Sequence, residues 1–432
     1  MWNLIVSWLW WFSIALTILG LILVVGFYFQ GAFRDRVEYQ VHCPPDPKGS
    51  SFAPTLASIT NSFVTQGKVT DFWSQPASIQ EARLDAISKA QRTIDFETFF
   101  MTPGKRADDF AVAIAERATA GVKIRLIFDS YGTKDISEAY WQRLQALGVE
   151  IVFFNPFKWK APLDYAGRTH RKLLLVDRRV ALIGGAGISD LWDGVEKDDD
   201  TQPWLDIEMR IEGDLILYLS GVFSQHWTYG GGKANLAKEQ LQPSSGKQYP
   251  MLITPGANPQ YRFSPIKALK YNSIIAARKS IWLASPYFLP DPNSQELLAS
   301  AKKKGLDVRI LTTSKRSDKK PVYYASYEHY GELLRGGVEI YEYQPSMTHA
   351  KMLLIDDCWA ITGSANFDPR SFDHNEELDI GSPQPALVSN IKSAFENGFA
   401  QSKQITYSEW QKRSWWRHRL LGNVVDFFQW QL

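Results

Sequence analysis

Arg168-Thr-His-Arg-Lys-Leu-Leu-Leu-Val-Asp177 governs how this chain reads, because Thr348-His-Ala-Lys-Met-Leu-Leu-Ile-Asp356 repeats it. Each copy is His-x-Lys-x-x-x-x-Asp, with aliphatic residues between the lysine and the aspartate. Side chains alternate faces along a strand, so His170 and Lys172 share one face, as do His349 and Lys351. The four apolar residues that follow predict a strand buried on both faces of a sheet. A His–Lys pair thus stands at the mouth of a buried strand once in each half of the chain. A lone H-x-K is an ordinary strand end carrying solvated polar residues. Two copies with the same apolar filler and the same terminal acid are a repeated design.

Working outward, each motif closes a run of alternating helices and strands. In the first half, helical spacing over Glu81 to Arg92 leads to a strand from Ile94 to Phe100. A helix through Phe110 and Ala118, the strand Lys123 to Asp129, a helix over Tyr140 to Leu147 and the strand Val149 to Phe154 follow. The second half repeats that order. Its helix over Ile266 to Arg278 precedes the strand Ile281 to Phe288, a helix over Gln295 to Lys304 and the strand Val308 to Thr312. A helix from Val322 to Leu334 and the strand Val338 to Tyr343 then lead into the second motif. Glycines at 148, 305 and 336–337 mark helix stops. The motif histidines at 170 and 349 are 179 residues apart, and the Gly-Val steps at 148 and 337 are 189 apart. A duplicated α/β unit with a few loop insertions explains both offsets.

The pair of motifs resembles the phospholipase D superfamily, whose active site joins two such motifs across an internal pseudo-twofold. The second copy continues as Gly363-Ser-Ala-Asn366-Phe-Asp-Pro-Arg-Ser371, similar to the family's Gly-Ser-x-Asn extension. The first continues as Gly184-Gly-Ala-Gly187, with Gly187 where the family usually places Asn. The run Trp204-Leu-Asp-Ile-Glu-Met-Arg-Ile-Glu-Gly213, the run Ser285-Pro-Tyr-Phe-Leu-Pro-Asp291 and the Trp- and Arg-rich close look most like bacterial cardiolipin synthases. Most of those carry two transmembrane segments, whereas this sequence shows one. The fold implied is α/β: two pseudo-symmetric phospholipase D-like α/β/α sandwich lobes sharing one active site, preceded by a single N-terminal transmembrane helix.

The resemblance also implies a chemistry. A phosphodiester repels anionic nucleophiles, so a site acting on it needs fixed cations, which Lys172 and Lys351 supply. A neutral imidazole can attack phosphorus and form a phospho-histidine, while a protonated one hands a proton to the leaving alkoxide. The repeat gives one histidine to each role without ordering them. The usual family assignment makes His170 the nucleophile and His349 the acid/base. By resemblance, Glu377 and Asp206 orient one imidazole each, and Ser364 and Asn366 are placed to bond phosphate or a motif side chain. Asp177 and Asp356 belong to the motifs, but following a buried run each reads as an acceptor for strand-end backbone donors. Glu97 and Tyr287, on the first strands of the two halves, are candidate pocket-edge or ordinary core residues. No metal or other cofactor is expected: each motif offers Lys rather than a further ligand, no Cys lies near either His, and no G-x-x-x-x-G-K-[ST] loop is present.

Forty-eight basic and 46 acidic residues nearly cancel, so no global field argues for nucleic acid. Leu4 to Phe29 carries no charge and is long enough to cross a hydrocarbon layer. It lacks the basic start and small-residue cleavage site of a secretory signal, so an uncleaved anchor is expected. Arg34 and Arg36 follow it and favour a cytoplasmic body at a bacterial inner membrane. Cys43 lies in a Pro-rich stretch and Cys358 in an apolar strand, which argues against their pairing. The expected plan is an anchor over 1–33, a linker over 34–76, a first lobe over 77–245, a second over 246–400 and a basic aromatic segment over 401–432.

The expected partners are the bilayer and anionic glycerophospholipids such as phosphatidylglycerol. The tail from Trp410 to Trp430 reads as an interfacial helix or as a helix docked on the body. Aromatics between Phe153 and Lys160, just before the first motif, read as an acyl-chain entrance or as bulky core residues. The expected activity is phosphatidyl transfer, two phosphatidylglycerols giving cardiolipin and glycerol. A phospholipase D hydrolase releasing phosphatidic acid is the alternative, and a nuclease a third.

Overall fold

The computed structural model describes residues 2–29, 40–160, 167–194, 202–234, 246–256 and 263–427. Arg34 and Arg36, on which the expected orientation rests, and the tail beyond residue 427 lie outside them. Helix α1 (Trp2–Phe29) contains Val6–Gly26, long and apolar enough to cross a membrane, with side chains open to the surroundings.

The body starts with α2 (Phe52–Thr60), β1 (Phe63–Trp73) and α3 (Pro76–Ser88). It continues through β2 (Thr93–Thr98), α4 (Lys105–Thr119), β3 (Lys123–Asp129), α5 (Glu138–Ala146) and β4 (Glu150–Phe154). The first motif enters β5 (Leu173–Val176), which hairpins into β6 (Val180–Gly184), followed by β7 (Glu208–Glu212) and α6 (Leu215–Tyr229). The second half opens with β8 (Tyr249–Pro255), α7 (Pro265–Ala276), β9 (Ser280–Ser285), α8 (Pro292–Lys303) and β10 (Asp307–Thr313). Then come α9 (Lys320–Glu328), α10 (Tyr330–Arg335) and β11 (Glu339–Tyr343). The second motif enters β12 (Met352–Ile355), which hairpins into β13 (Trp359–Gly363). Last come α11 (Pro369–Asp373), β14 (Leu378–Ser382), α12 (Pro385–Ala400), β15 (Ser402–Ile405), α13 (Tyr407–Gln411) and α14 (Asn423–Phe427).

The fifteen strands of the described residues form one sheet, in the order β15-β11-β10-β9-β12-β13-β14-β8-β1-β7-β6-β5-β2-β3-β4. The order is palindromic about the β8–β1 seam once β15 is set aside, so each strand of one half has its counterpart in the other. The seam is antiparallel, with Phe63 opposite Ile253 and Gly67 opposite Tyr249. Here the expected linker over 34–76, read with some local helix, needs correction, because besides the helix α2 it supplies the eleven-residue strand β1. Strand β1 pairs with β7 on one side and β8 on the other, yet its burial does not alternate and its register shifts between Val69 and Asp71. Gly67 breaks the apolar pattern for a reason: a Cβ there would lie 2.6 Å from Leu215 Cδ2.

The motif strands are buried on both faces. Leu173 and Leu175 join Met352 and Leu354 in one core that runs across both halves beneath α6 and α12. Leu174 and Val176 face a core with α4 and α5, and Leu353 and Ile355 face another with α7, α8 and α10. The C-terminal segment is docked rather than free: β15 pairs with β11, and Trp410 donates its indole N–H to Tyr327 O at 2.8 Å.

Candidate active site

Strand β5 runs antiparallel to β2 with Leu173 opposite Glu97, and β12 runs antiparallel to β9 with Met352 opposite Ala284. The residues before β5 and β12, which carry the His–Lys pairs, therefore emerge at the C-terminal ends of β2 and β9. Two isolated parallel bridges join these segments to the opposite half, Thr169 to Glu376 and Leu205 to Thr348. His170 N donates to Glu376 O at 2.8 Å, and His349 N donates to Leu205 O at 2.6 Å. Each bridging residue stands immediately before a histidine or a carboxylate of the site. One backbone contact in each half thus sets an imidazole against an acid.

The carboxylates cross over. His170 Nδ1 bonds Glu377 Oε2 of the second half at 2.9 Å, and His349 Nδ1 bonds Asp206 Oδ2 of the first at 2.8 Å. With Nδ1 committed, Nε2 is the nitrogen left to meet a reactant in His170, whereas in His349 it is already approached by a lysine. Lys172 Nζ and Lys351 Nζ each donate at 2.6 Å to the carbonyl of the histidine two residues before, and Lys351 Nζ also lies 3.0 Å from His349 Nε2. The two halves share one electrostatic neighbourhood: Lys351 acts on His170, and Lys172 on His349.

Burial drives both imidazoles down to about 4, against the pull of Glu377 on His170 and of Asp206 on His349. Both rings are therefore neutral at neutral pH. Glu377, despite its burial, is held at about 2 by His170, Lys172 and the Ser364 hydroxyl. Asp206 is likewise held below its ordinary value, against burial, by His349, Lys351 and the Trp192 N–H. Burial lowers both lysines, Lys351 to about 8. Lys172 is lowered further by Lys351.

The halves differ in how each acid is held. Ser364 Oγ donates to Glu377 Oε2 at 2.6 Å, the same oxygen that takes His170. At the matching position the first half has Gly185, where a Cβ would lie 2.2 Å from Asp206 Oδ1. Trp192 supplies the missing donor: its indole N–H reaches Asp206 Oδ2 at 2.8 Å, again the oxygen that takes the imidazole. Gly187, where the family usually has Asn, is explained first by the Phe100 carbonyl and then by the same indole. A Cβ at 187 would meet Phe100 O at 2.7 Å and Trp192 Cη2 at 3.2 Å. Trp192 and Trp204 flank the His349 ring at centroid distances of 5.2 and 6.0 Å, whereas His170 has Phe99 at 5.3 Å.

The remaining expected residues separate. Asn366 is buried, and its side-chain oxygen has no partner among the described residues. Tyr287 packs partly buried beside Trp192, Trp204 and Met347 and donates its hydroxyl to Asp318 at 2.7 Å. Glu97 lies a layer behind, accepting from Thr169 Oγ1 and paired with His226, each at 2.5 Å, and does not touch either motif imidazole. Asp177 and Asp356 are not in the site at all. Five residues of strand put each about 16 Å from its motif lysine. Asp177 takes the backbone N–H groups of Gln91, Arg92 and Thr93, and Asp356 those of Arg278, Lys279 and Ser280. Both begin three-residue hairpin connections at positive φ, 51° and 53°. Trp192, Trp204, Phe99 and His226 were not anticipated, although Gly187 in place of Asn was a signal that something else fills that space.

Among the described residues no three His, Cys, Asp or Glu side chains converge as metal ligands. Cys43 and Cys358 are both free.

The family described as cardiolipin synthase, PLD-like domain matches residues 84–193 and 271–398. A cardiolipin synthase of Geobacillus thermodenitrificans is 34% identical over 79% of this chain and 68% of its own length. Cardiolipin synthase 2 of Bacillus anthracis is 32% identical over 80% of this chain, and the match spans 66% of that relative. The crystal structure of a phosphatidylserine synthase from Haemophilus influenzae superposes with a TM-score of 0.66 over 88% of this chain and all of that one, at 14% identity, which speaks to fold alone. With the paired motifs, the crossed carboxylates and these matches together, the chain belongs to the phospholipase D superfamily, within its cardiolipin-synthase-type family.

Proposed function

We propose that this protein is a membrane-anchored phosphatidyltransferase that makes cardiolipin from two molecules of phosphatidylglycerol. The carrying observation is the pair of neutral imidazoles, each fixed by a carboxylate of the opposite half beside two buried lysines. A phosphodiester bound there brings a negative charge, which favours the charged form of both lysines and a proton on one ring. In the first step His170 Nε2 attacks phosphorus. The glycerol oxygen leaves with a proton from His349, and a phosphatidyl group remains on His170. In the second step His349 takes the proton of a hydroxyl on the second phosphatidylglycerol, that oxygen attacks phosphorus, and the bond to His170 breaks. Lys172, Lys351 and Asn366 bear on the non-bridging oxygens, and Glu377 and Asp206 hold the rings and stabilise their charged forms.

The substrate class rests on the resemblance to cardiolipin synthases and on the surface. Trp415, Trp416, Leu420, Leu421 and Val424 are exposed beside Arg417 and Arg419, while His418 of the same turn packs against Tyr324 and Tyr327. In the loop after β4, Phe157 and Trp159 stand exposed next to Lys158 and Lys160. That loop lies on the sheet edge where the histidines emerge. Together with α1, these aromatic and basic groups suit an anionic bilayer surface, with the body on the cytoplasmic side of a bacterial inner membrane and a single crossing.

Purified protein in mixed micelles with phosphatidylglycerol should release glycerol and form a diphosphatidyl lipid. Phosphatidic acid as the dominant product would instead make the enzyme a hydrolase, with water rather than a lipid hydroxyl reaching the phospho-enzyme. His170→Ala and His349→Ala should each lower turnover by at least about 10³-fold with the fold retained. Substantial turnover in either would refute the paired-imidazole mechanism.

A further inference from the structure

Behind His170 lies a second ionic cluster that the mechanism does not use. His226, near the end of α6 and 4% exposed, places Nδ1 2.5 Å from Glu97 Oε1 of β2 and Nε2 3.5 Å from Glu376 Oε2 of the opposite half. Arg171, which points from the motif to the reverse face of the strand, donates to Glu376 Oε2 at 3.0 Å. The same guanidinium reaches Glu377 O and Val222 O, each at 3.2 Å. Thr169 donates to the same Glu97 oxygen that His226 approaches. Phe154 covers the imidazole at 4.5 Å.

Every carboxylate here is one residue from the active site or bonded to such a residue. Glu376 precedes Glu377, and Thr169, which Glu97 holds, precedes His170. Thr169 and Glu376 themselves form the bridge between the halves. The charges facing His226 are Glu97, Glu376 and Arg171, so the buried set is neutral only when the ring carries a proton on both nitrogens. Burial and Arg171 both oppose that charge, yet Glu97 and Glu376 outweigh them and raise the ring above the usual histidine value. Among the described residues the other half has no such device, since Ala284 stands opposite Met352 where Glu97 stands opposite Leu173, and Thr348 Oγ1 has no partner there.

We propose that His226 is a positioning residue: as a buried imidazolium it ties Glu97 to Glu376 across the junction of the halves and so holds His170 against Glu377. The inference rests on the mechanism given above but is separable from it. Without the tie the Thr169–Glu376 bridge keeps its backbone bonds but loses its lateral restraint, and the His170 ring wanders from its line of attack. The effect is on kcat, because the lysines that face the phosphate and the mouth of the cleft are untouched.

The test uses the full chain in detergent micelles with 15N-labelled histidine at pH 7.5. One imidazole should show both nitrogens protonated, and its signals should vanish in His226→Gln, whereas those of His170 and His349 report neutral rings. A neutral His226 overturns the proposal whatever reaction the enzyme performs, and whether or not the variant folds well enough for kinetics. In phosphatidyl transfer, His226→Gln should lower kcat about 10- to 100-fold with KM within about twofold. Adding Glu376→Gln removes the unmatched carboxylate and should recover much of that loss. A single variant with kcat within twofold of wild type, or a double variant no better than the single, refutes the clamp. A chain that transfers no phosphatidyl group defeats the functional reading, and the NMR result still decides the role of His226.

Discussion

Replacing Trp192 by Phe tests whether the indole does for Asp206 what Ser364 does for Glu377. The substitution keeps most of the ring packed against His349 and Trp204 and deletes a single N–H. In the wild type Asp206 Oδ2 takes that N–H and the His349 Nδ1, both at 2.8 Å, while Oδ1 takes Ile207 N at 2.8 Å. Asp206 is fully buried, so no solvent replaces the missing donor. A hydrogen bond to a charged group is worth about 1.5–3 kcal/mol, which corresponds to roughly 10- to 150-fold in an equilibrium or rate. The ionised Asp206 loses that support, its proton affinity rises, and the carboxylate that aligns the His349 ring is less firmly fixed. Asp206 should therefore take up a proton at higher pH than in the wild type, adding its own loss to the acid limb of kcat/KM that His170 sets. At neutral pH kcat should fall about tenfold or more. Transfer measured by the diphosphatidyl product across pH 4 to 9 reads both effects, and Ser364→Ala serves as the mirrored control on Glu377. A Trp192→Phe enzyme with wild-type kcat and an unmoved acid limb would refute the donor role and leave the indole a mere filler of the space at Gly187.

Further outcomes follow from the same geometry. Asp177→Ala and Asp356→Ala each strand three backbone N–H groups and put Ala at positive φ, so either should lower unfolding stability by about 2–4 kcal/mol in chemical denaturation. The kcat of the folded fraction should stay near wild type, and a large kcat loss in stably folded enzyme would return these aspartates to the chemistry. The free enzyme needs a neutral His170, whose burial holds it at about 4, and a charged Lys351, which burial lowers to about 8. Hence kcat/KM should fall as pH drops towards 4, fall again above about 8, and show no inflection near 6.5. An inflection at the ordinary histidine value would contradict the buried, neutral pair. Dialysis against EDTA should leave transfer rates nearly unchanged, and activity lost and then restored by a single divalent metal would undo the proposed mechanism.

Much of this was legible in the chain. The period of two along Leu173–Val176 and Met352–Ile355 fixed which side chains share a face, and an aspartate after a buried run correctly signalled a backbone acceptor. What stayed hidden depends on contacts between residues remote in sequence. Strand β1 escaped because it lies half-exposed at the seam, with Gly67 where a packed side chain would have completed the pattern. The replacement of Ser by Trp192 could not be read, because an indole that arrives from a separate turn leaves no spacing rule behind. His226, Glu97 and Glu376 come from three elements and meet only through the bridge between the halves.

The exchange of carboxylates across the palindromic sheet has a consequence for ancestry. A half-length chain could complete these two catalytic pairs only by meeting a second copy of itself, and both pairs would then be chemically identical. Joining the copies end to end lets each inherit changes of its own. An indole beside one ring and a hydroxyl beside the other are the mark of that freedom: in a tandem chain the two imidazoles no longer need identical surroundings.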